Sequence, residues 1–493
     1  MTEIKTLKGK IANGAFWLGT TKSVGQAISW VITIYVVRIL APEDYGLMGM
    51  AVLMNGLLQL FNELGLGVAI IQKPDLAEEE ISNLFWAILG LNIAIFLIAF
   101  FVSPFASAFF REPRLTRIIQ TLSVSFVMSG FGTVSQNLLN REMQFKNRSL
   151  SEFVGNLVSG ISVLLFALMG FGVWSLVYGY LIQATISNIL YFLLRPLRIH
   201  WMFSPKKIVG MIQFGARVAV ARVLWYISSN ADYAVAGRFL GKTPLGYYNL
   251  AFQFASIPID KIVSIITQVA LPSFSAVQKD TPKLQRYYLR MVGMVAFITF
   301  PLFLGIFLVA DSAVYLFLTD KWRPMIIPLK ILCIVSCLRA VETMNTPLIL
   351  AKGKPSIIMY NNLLQAIVLP ISFYIGSKYG LEGLSYAWLI IWPILFAIIT
   401  HWTLKLIGLS FTDYFSEMKQ TIAGTMVMGI LVVIVQRGFL EGKSHLFQFI
   451  ITCMTGLFLY MSYAVCFNRG LIDDAIGILR RKEIAGSDPG GRV

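Results

Sequence analysis

The stretch LFWAILGLNIAIFLIAFFVSPFASAF at residues 84–109 is 26 residues long and holds no Asp, Glu, Lys, Arg or His. A helix crosses the hydrocarbon core of a bilayer in about 20 apolar residues, so this segment spans a membrane with room to tilt. Working outward, thirteen further windows of the same kind lie at 13–37, 46–71, 116–139, 150–170, 173–194, 208–237, 245–271, 289–310, 325–350, 356–376, 383–404, 419–436 and 446–467. None alternates apolar and polar residues with the period of two that a membrane strand requires. Turn signals separate them, among them Ala41-Pro42-Glu43-Asp44, Lys73-Pro74-Asp75, Glu112-Pro113, Gly170-Phe171-Gly172 and Gly353-Lys354-Pro355. The expectation is an all-α polytopic membrane protein of about fourteen helices, with short connections and no soluble domain.

Composition agrees. The chain is 57% hydrophobic and 13% charged over 493 residues, whereas soluble domains carry about 25% charge. This excludes a soluble enzyme, a disordered chain and a disulfide scaffold. Cys333, Cys337, Cys453 and Cys466 all fall inside apolar windows, so no disulfide framework is implied. The formal net charge of +16 could signal nucleic-acid binding, but its distribution points elsewhere. With the N-terminus inside, 24 Lys and Arg fall on the cytoplasmic side, 11 on the other, and six within spans. That bias is the positive-inside pattern. It places both termini in the cytoplasm and leaves no call for nucleic acid. Lys5, Lys8 and Lys10 precede the first span without a small-residue cleavage site, so that span is expected to act as an uncleaved signal anchor.

The chain repeats itself. Arg38-Ile39-Leu40 followed by Gly46 recurs as Arg238-Phe239-Leu240 and Gly246, at an offset of 200, and Lys22 falls opposite Arg222. Gly172-Val173-Trp174-Ser175-Leu176-Val177-Tyr178 matches Gly380-Leu381-Glu382-Gly383-Leu384-Ser385-Tyr386 at an offset of 208. Six spans per repeat is an even number, so both halves enter the membrane in the same direction, as in transporters with parallel repeats. The expected organisation is an N-lobe at 1–200 (spans 1–6), a C-lobe at 201–408 (spans 7–12), two additional helices at 409–470 and a cytoplasmic tail at 471–493. In that tail Leu471, Ile472, Ala475, Ile476 and Leu479 form an apolar stripe before Arg480-Arg481-Lys482, the pattern of a short interfacial helix at an anionic leaflet.

An ionisable group at mid-bilayer is expensive and marks a cavity or a partner. Lys22, Arg217, Arg222, Lys261, Lys330 and Arg339 fall within spans, against Glu63, Asp232, Asp260 and Glu342. Arg339 and Glu342, three apart, can pair on one helix face. Arg238, Asp232 and Lys330 fall near span ends and can snorkel. Lys22 and Arg222 occupy equivalent places in the two repeats, with Arg217 nearby and Glu63 as a counter-ion for Lys22. These four are the candidate site for an anionic headgroup, which Arg grips bidentately and Lys as a point charge. Asn55, Gln59, Asn62, Gln136, Asn137, Asn156, Gln183, Asn188, Gln253, Asn361, Asn362 and Gln365 add neutral polar groups. These either glue helices together or line a wet cavity that sugars could enter.

No P-loop is present. The Cys333-x-x-x-Cys337 pair has no His or second Cys pair beside it, and His200, His401 and His445 sit at span ends, so no catalytic residue, metal or cofactor is expected. Asn147-Arg148-Ser149 fits a glycosylation acceptor but falls on the cytoplasmic side.

Several motifs together resemble a known family. Gly14-Ala15-Phe16-Trp17, the turn Val37-Arg38-Ile39-Leu40-Ala41-Pro42-Glu43-Asp44-Tyr45-Gly46, Glu63-Leu64-Gly65-Leu66-Gly67 and Leu138-Leu139-Asn140-Arg141-Glu142-Met143-Gln144-Phe145 look like polysaccharide transporters of the MOP flippase superfamily, the Wzx-type lipopolysaccharide and colanic-acid exporters above all. The resemblance covers roughly residues 5–470. It implies a bacterial inner-membrane protein with two six-helix lobes opening alternately to either side. It also implies an undecaprenyl-pyrophosphate-linked oligosaccharide as cargo, an O-antigen, colanic-acid or exopolysaccharide unit moved from the cytoplasmic to the periplasmic leaflet. Membrane lipids and the polysaccharide polymerase and export machinery are the implied partners. In lipid flippases of this superfamily the two extra C-terminal helices are associated with a groove for the lipid tail. Two other readings compete. A MATE-like multidrug or cation antiporter would need an acidic residue where the first span carries Lys22. A membrane polymerase or glycosyltransferase would need a large outer loop or an Asp-x-Asp motif, and neither is present.

Overall fold

The computed structural model describes residues 25, 28–62, 70, 77–200, 223 and 225–470. Among these residues there is no strand. Eleven helices are long and apolar enough to cross a membrane, and each coincides with a predicted span. They are α3 (Glu78–Phe110), α4 (Arg114–Arg141), α5 (Phe145–Leu168), α6 (Val173–Leu194), α8 (Lys242–Ala276), α9 (Thr281–Leu318), α10 (Asp320–Ala351), α11 (Pro355–Ser377), α12 (Gly380–Ile407), α13 (Phe411–Leu440) and α14 (His445–Phe467). The three remaining predicted spans each fall partly on described helix. These pieces are α1 (Ile28–Ile39), α2 (Pro42–Gln59) and α7 (Ala231–Val235, continued by the π-turn Ala236–Leu240). The expected all-α polytopic architecture is thus observed; fourteen as the number of spans stays approximate, because spans 1, 2 and 7 are described only in part.

The burial pattern is that of a membrane protein. Phe105, Leu193 and Phe458 are 75%, 67% and 71% exposed on their helices, a face that only hydrocarbon tolerates. Two compact units make up the chain, one of Met1–Thr243 with Glu483–Val493, the other of Pro244–Lys482. In the first unit, α3 and α4 bury Leu84, Phe85, Ile88 and Leu89 against Val134 and Leu138. In the second, α9, α13 and α14 bury Met294 and Phe297 against Met428, Val432, Tyr460 and Ala464.

The division at Thr243, rather than at residue 200, has a local cause. The described part of the seventh span packs on α2 and α3. The Tyr226 hydroxyl donates to the Leu53 carbonyl at 2.9 Å, Arg238 donates to the Phe109 carbonyl at 2.6 Å, and Gly237 sits where a Cβ would press on Phe110. The seventh span's end is therefore counted with the first unit.

The repeat turn at residues 38–46 shows why its residues are there. Pro42 fills the first helical position of α2, where no N–H is needed. Asp44 accepts from the Ala41 backbone N–H at 2.9 Å, satisfying a donor at the helix start. Tyr45 is buried. Gly46 packs so close that a Cβ built there would run into the Lys242 carbonyl oxygen.

Candidate functional site

The four residues assigned from sequence to an anionic headgroup, Lys22, Arg217, Arg222 and Glu63, lie outside the described residues, as does the tail stripe at 471–479. What the structure does describe is a different site, built from the neutral polar residues.

A cavity of about 410 Å³ opens within the first unit, among α2, α4 and α6. On α4 its wall is Ser125, Ser129, Thr133 and Gln136, spaced four, four and three apart, so one helix face carries all four. On α6 it is Tyr180, Gln183, Ala184, Ser187, Asn188 and Tyr191, again a single face. Gln59, Leu60 and Asn62 close it from the end of α2. From residue 125 to 136, and from 180 to 191, each stripe rises about 16 Å along its helix. Among the described residues, the only apolar members of the lining are Leu60 and Ala184, and none is charged.

Polar side chains at membrane depth must find partners, and here many find their own helix. Ser125 donates to the Leu122 carbonyl at 2.6 Å, Thr133 to Ser129 at 2.7 Å and Asn188 to Ala184 at 2.7 Å. Gln136 and Tyr191 meet across the cavity, the amide donating to the phenol oxygen at 3.4 Å. Two oxygens on the lining, Ser187 Oγ and Asn62 Oδ1, have no hydrogen-bond partner. A roomy polar cavity with unsatisfied groups holds water or a polar ligand.

One end of the cavity leads to charge. The Tyr191 hydroxyl donates to Glu152 Oε1 at 3.4 Å, and Arg148 donates to the same carboxylate at 2.8 Å and to Asn140 at 2.9 Å. Nearby, Arg195 pairs with Glu142 at 2.7 Å, and Ser135 donates to the Arg195 carbonyl. The opposite ends of the helices carry a second cluster. Lys242 lies 3.4 Å from Glu43 and 3.1 Å from Glu112, tying together the first turn of α2, the turn after α3 and the first residue of α8.

The second unit also carries polar groups at depth, and several are ionisable. Asp260 and Lys261 sit in the π-turn Ile259–Val263, directly after Pro258, near the middle of α8. Arg339 lies over the rings of Phe252, Trp388 and Trp392, at 4.9, 5.3 and 5.9 Å. Arg339 interacts electrostatically with Glu342, whose Oε2 is buried without a hydrogen-bond partner among the described residues, and the cation–π contacts add to that interaction. Lys330, expected to snorkel, pairs with Asp311 at 2.5 Å. In the first unit Asp232, expected near a span end, is fully buried and accepts from the Tyr233 N–H at 2.9 Å. An apolar groove of about 460 Å³ also opens in the second unit among α9, α10, α12 and α13, lined by residues such as Phe303, Phe307, Leu338, Leu389, Phe415 and Met426.

Sequence reasoning named five of the cavity's polar residues (Gln59, Asn62, Gln136, Gln183 and Asn188) without placing them together. It missed Ser125, Ser129, Thr133, Tyr180, Ser187 and Tyr191. The signal was present as polar residues recurring at helical spacing in two otherwise apolar spans.

Known proteins agree with this architecture. The family of polysaccharide biosynthesis proteins matches residues 35–327. The chain is 26% identical to the lipopolysaccharide biosynthesis protein WzxC of Escherichia coli strain K12, over 83% of this chain and 84% of that protein. It is 27% identical to the teichuronic acid biosynthesis protein TuaB of Bacillus subtilis strain 168, over 76% and 78%. Its fold resembles the lipid II flippase MurJ in an inward closed conformation, with a TM-score of 0.73 and 14% identity over 91% of this chain and 99% of that one. The chain belongs to the family of polysaccharide biosynthesis proteins, and it is a multi-pass membrane protein built on the fold of a lipid flippase.

Proposed function

We propose that the protein moves a lipid-linked oligosaccharide, carried on undecaprenyl pyrophosphate, from the cytoplasmic to the periplasmic leaflet of a bacterial inner membrane by alternating access. The observation that carries this reading is the cavity of about 410 Å³ among membrane-spanning helices, whose described lining is polar and uncharged. A glycan crossing a bilayer needs hydroxyl- and amide-lined space where lipid would otherwise be. The apolar groove in the second unit offers the complementary surface that a polyprenyl chain requires. The named relatives act in lipopolysaccharide and teichuronic acid biosynthesis, which supports a glycan as cargo.

In this reading residues 1–200 and 201–408 are the two moving lobes, 409–470 the additional helices and 471–493 a cytoplasmic tail. Both termini face the cytoplasm, in keeping with the excess of Lys and Arg on that side. Lys22, Arg217 and Arg222, with Glu63, take the pyrophosphate. The Lys242–Glu43–Glu112 cluster then lies on the periplasmic side and holds it closed, so it must part when the protein opens outward. A polymerase and export machinery would receive the product.

The test is deletion of the protein in its native host, followed by isolation of membrane lipids. Accumulation of a polyprenyl-linked oligosaccharide on the cytoplasmic leaflet, cleared by the wild-type chain, is expected. No accumulation under any growth condition that makes the polysaccharide would sink the proposal.

A further inference from the structure

We infer that Tyr226, Arg238 and Lys242 form a latch that keeps the protein shut on its periplasmic side, with Arg238 as its principal residue. The inference rests on the alternating-access reading, in which the lobe that begins at residue 201 moves against α2 and α3. It extends the Lys242 cluster into a seam that reaches from the membrane surface into a span.

Arg238 caps a helix. Its guanidinium donates to the Phe109 carbonyl at 2.6 Å and lies 5.6 Å from the centre of the Phe109 ring. Phe109 is the penultimate residue of α3, which ends at Arg111 in a left-handed conformation with φ 56°. The N–H that would answer the Phe109 carbonyl four residues on would be that of Pro113, and proline has none. Arg238 supplies the missing donor, and its charge meets the negative end of the helix dipole. Inside the seventh span, the Tyr226 hydroxyl donates to the Leu53 carbonyl of α2 at 2.9 Å. At the surface, Lys242 joins Glu43 and Glu112.

The seam is built to part. Its close approaches fall at glycines: a Cβ on Gly56 would collide with the Tyr226 hydroxyl, and one on Gly237 would press on Phe110 and Met50. Smooth backbone surfaces separate without unpacking large side chains. Elsewhere in the unit, α3 and α4 interdigitate Leu84, Phe85, Ile88 and Leu89 with Val134 and Leu138. Such a core does not come apart without leaving voids. The donors of the seam, by contrast, exchange a carbonyl or a carboxylate for water as the cleft opens, at a small net cost.

The experiment uses the full-length chain in right-side-out membrane vesicles, with the four native cysteines replaced by serine. Met50 is 1% exposed and packs against Gly237, so Met50→Cys reports parting of the seam to a membrane-impermeant maleimide added outside. Arg238→Gln should raise the labelling rate about tenfold, the equivalent of one lost hydrogen bond. The conservative Arg238→Lys should restore most of the protection. Val134→Cys, in the core between α3 and α4, should stay unlabelled in all three backgrounds, which separates opening from unfolding. Conversely, Phe109→Cys with Arg238→Cys, bridged by a reducible bifunctional thiol reagent, should stop the flipping of a lipid-linked oligosaccharide in sealed vesicles, and reduction should restore it. Equal labelling of Met50→Cys in the wild-type and Arg238→Gln backgrounds would overturn the inference. So would flipping by the bridged protein, or reagent access to Met50→Cys from the cytoplasmic side alone. The labelling needs no cargo, so the two readings fail separately. Accumulated lipid-linked glycan on deletion with an unresponsive Met50→Cys removes only the latch; a responsive Met50→Cys without accumulation removes only the cargo.

Discussion

The two units handle polar groups at membrane depth in opposite ways. In the first unit the polar groups around the cavity are neutral, arranged in stripes, and largely satisfied by carbonyls on their own helices, so a void remains for a ligand. In the second, ionisable and neutral groups alike are packed against dedicated partners. Arg339 is held by three aromatic rings, and Lys330 is held by Asp311. Tyr288 donates to Asn345, whose amide donates to Thr400. The difference teaches that polarity in a span has two uses. A neutral stripe can bound a wet cavity, whereas a buried charge needs dedicated partners and fills its own space.

The comparison can be broken most severely at Arg339. Replacing it by Leu leaves Glu342, which interacts with it electrostatically, buried without its cation. Such a loss costs about 3–5 kcal/mol, read as a collapse in folded yield and melting temperature. Arg339→Leu with Glu342→Gln should recover most of it. A single variant as stable as wild type would show that the second unit does not depend on its charge. In the first unit the largest effect should come from contact, not charge. Gly46→Ala forces a methyl against the Lys242 carbonyl and should cost about 1–3 kcal/mol in a thermal melt.

Lys242→Ala should do less, because the cluster is partly solvated, with side-chain exposures of 25% for Lys242, 40% for Glu43 and 16% for Glu112. A change under about 1 kcal/mol is expected, shrinking further as salt is raised. A larger, salt-independent loss would mean that the cluster is buried in the working protein. The smallest effect belongs to Asp280, which caps α9 by accepting from the Lys283 N–H at 3.1 Å. Lys283, through its side chain and that N–H, holds the Asp280 carboxyl below the usual carboxylate range. A depressed value means that the contribution is present above the unfolded-state value of about 3.9 and is lost as pH falls through the folded one. Asp280→Ala should therefore lower the melting temperature slightly at neutral pH and leave it unchanged in strong acid. An equal effect at both pH values would remove the charged cap.

The fold was legible because membrane helices announce themselves by length and apolarity, and every described span fell where hydropathy placed it. The glycine of the repeat turn was legible as a motif, while its reason, the close approach of the Lys242 backbone, is a contact between distant parts of the chain. The cavity was half legible. Gln and Asn stand out in an apolar span, but Ser and Thr usually bond back to their own helix, and Tyr is common in membrane proteins, so six wall residues looked ordinary singly. Only the packing of α4 on α6 brings the stripes face to face. The charges were the clearest signal in the sequence, yet those the structure describes at depth in the second unit are held by aromatic rings and by one another. Hydropathy does not encode such partners.

The proposed path takes a glycan across the membrane through the neutral cavity. Its most direct test is a flipping assay in sealed vesicles containing the purified protein and the lipid-linked oligosaccharide extracted from the deletion strain. Lipid that begins on one leaflet should become accessible to a membrane-impermeant glycosidase on the other only when the protein is present, and Gln136→Leu with Gln183→Leu should abolish that transfer in a folded protein. Transfer that proceeds equally well in the double variant would rule that path out.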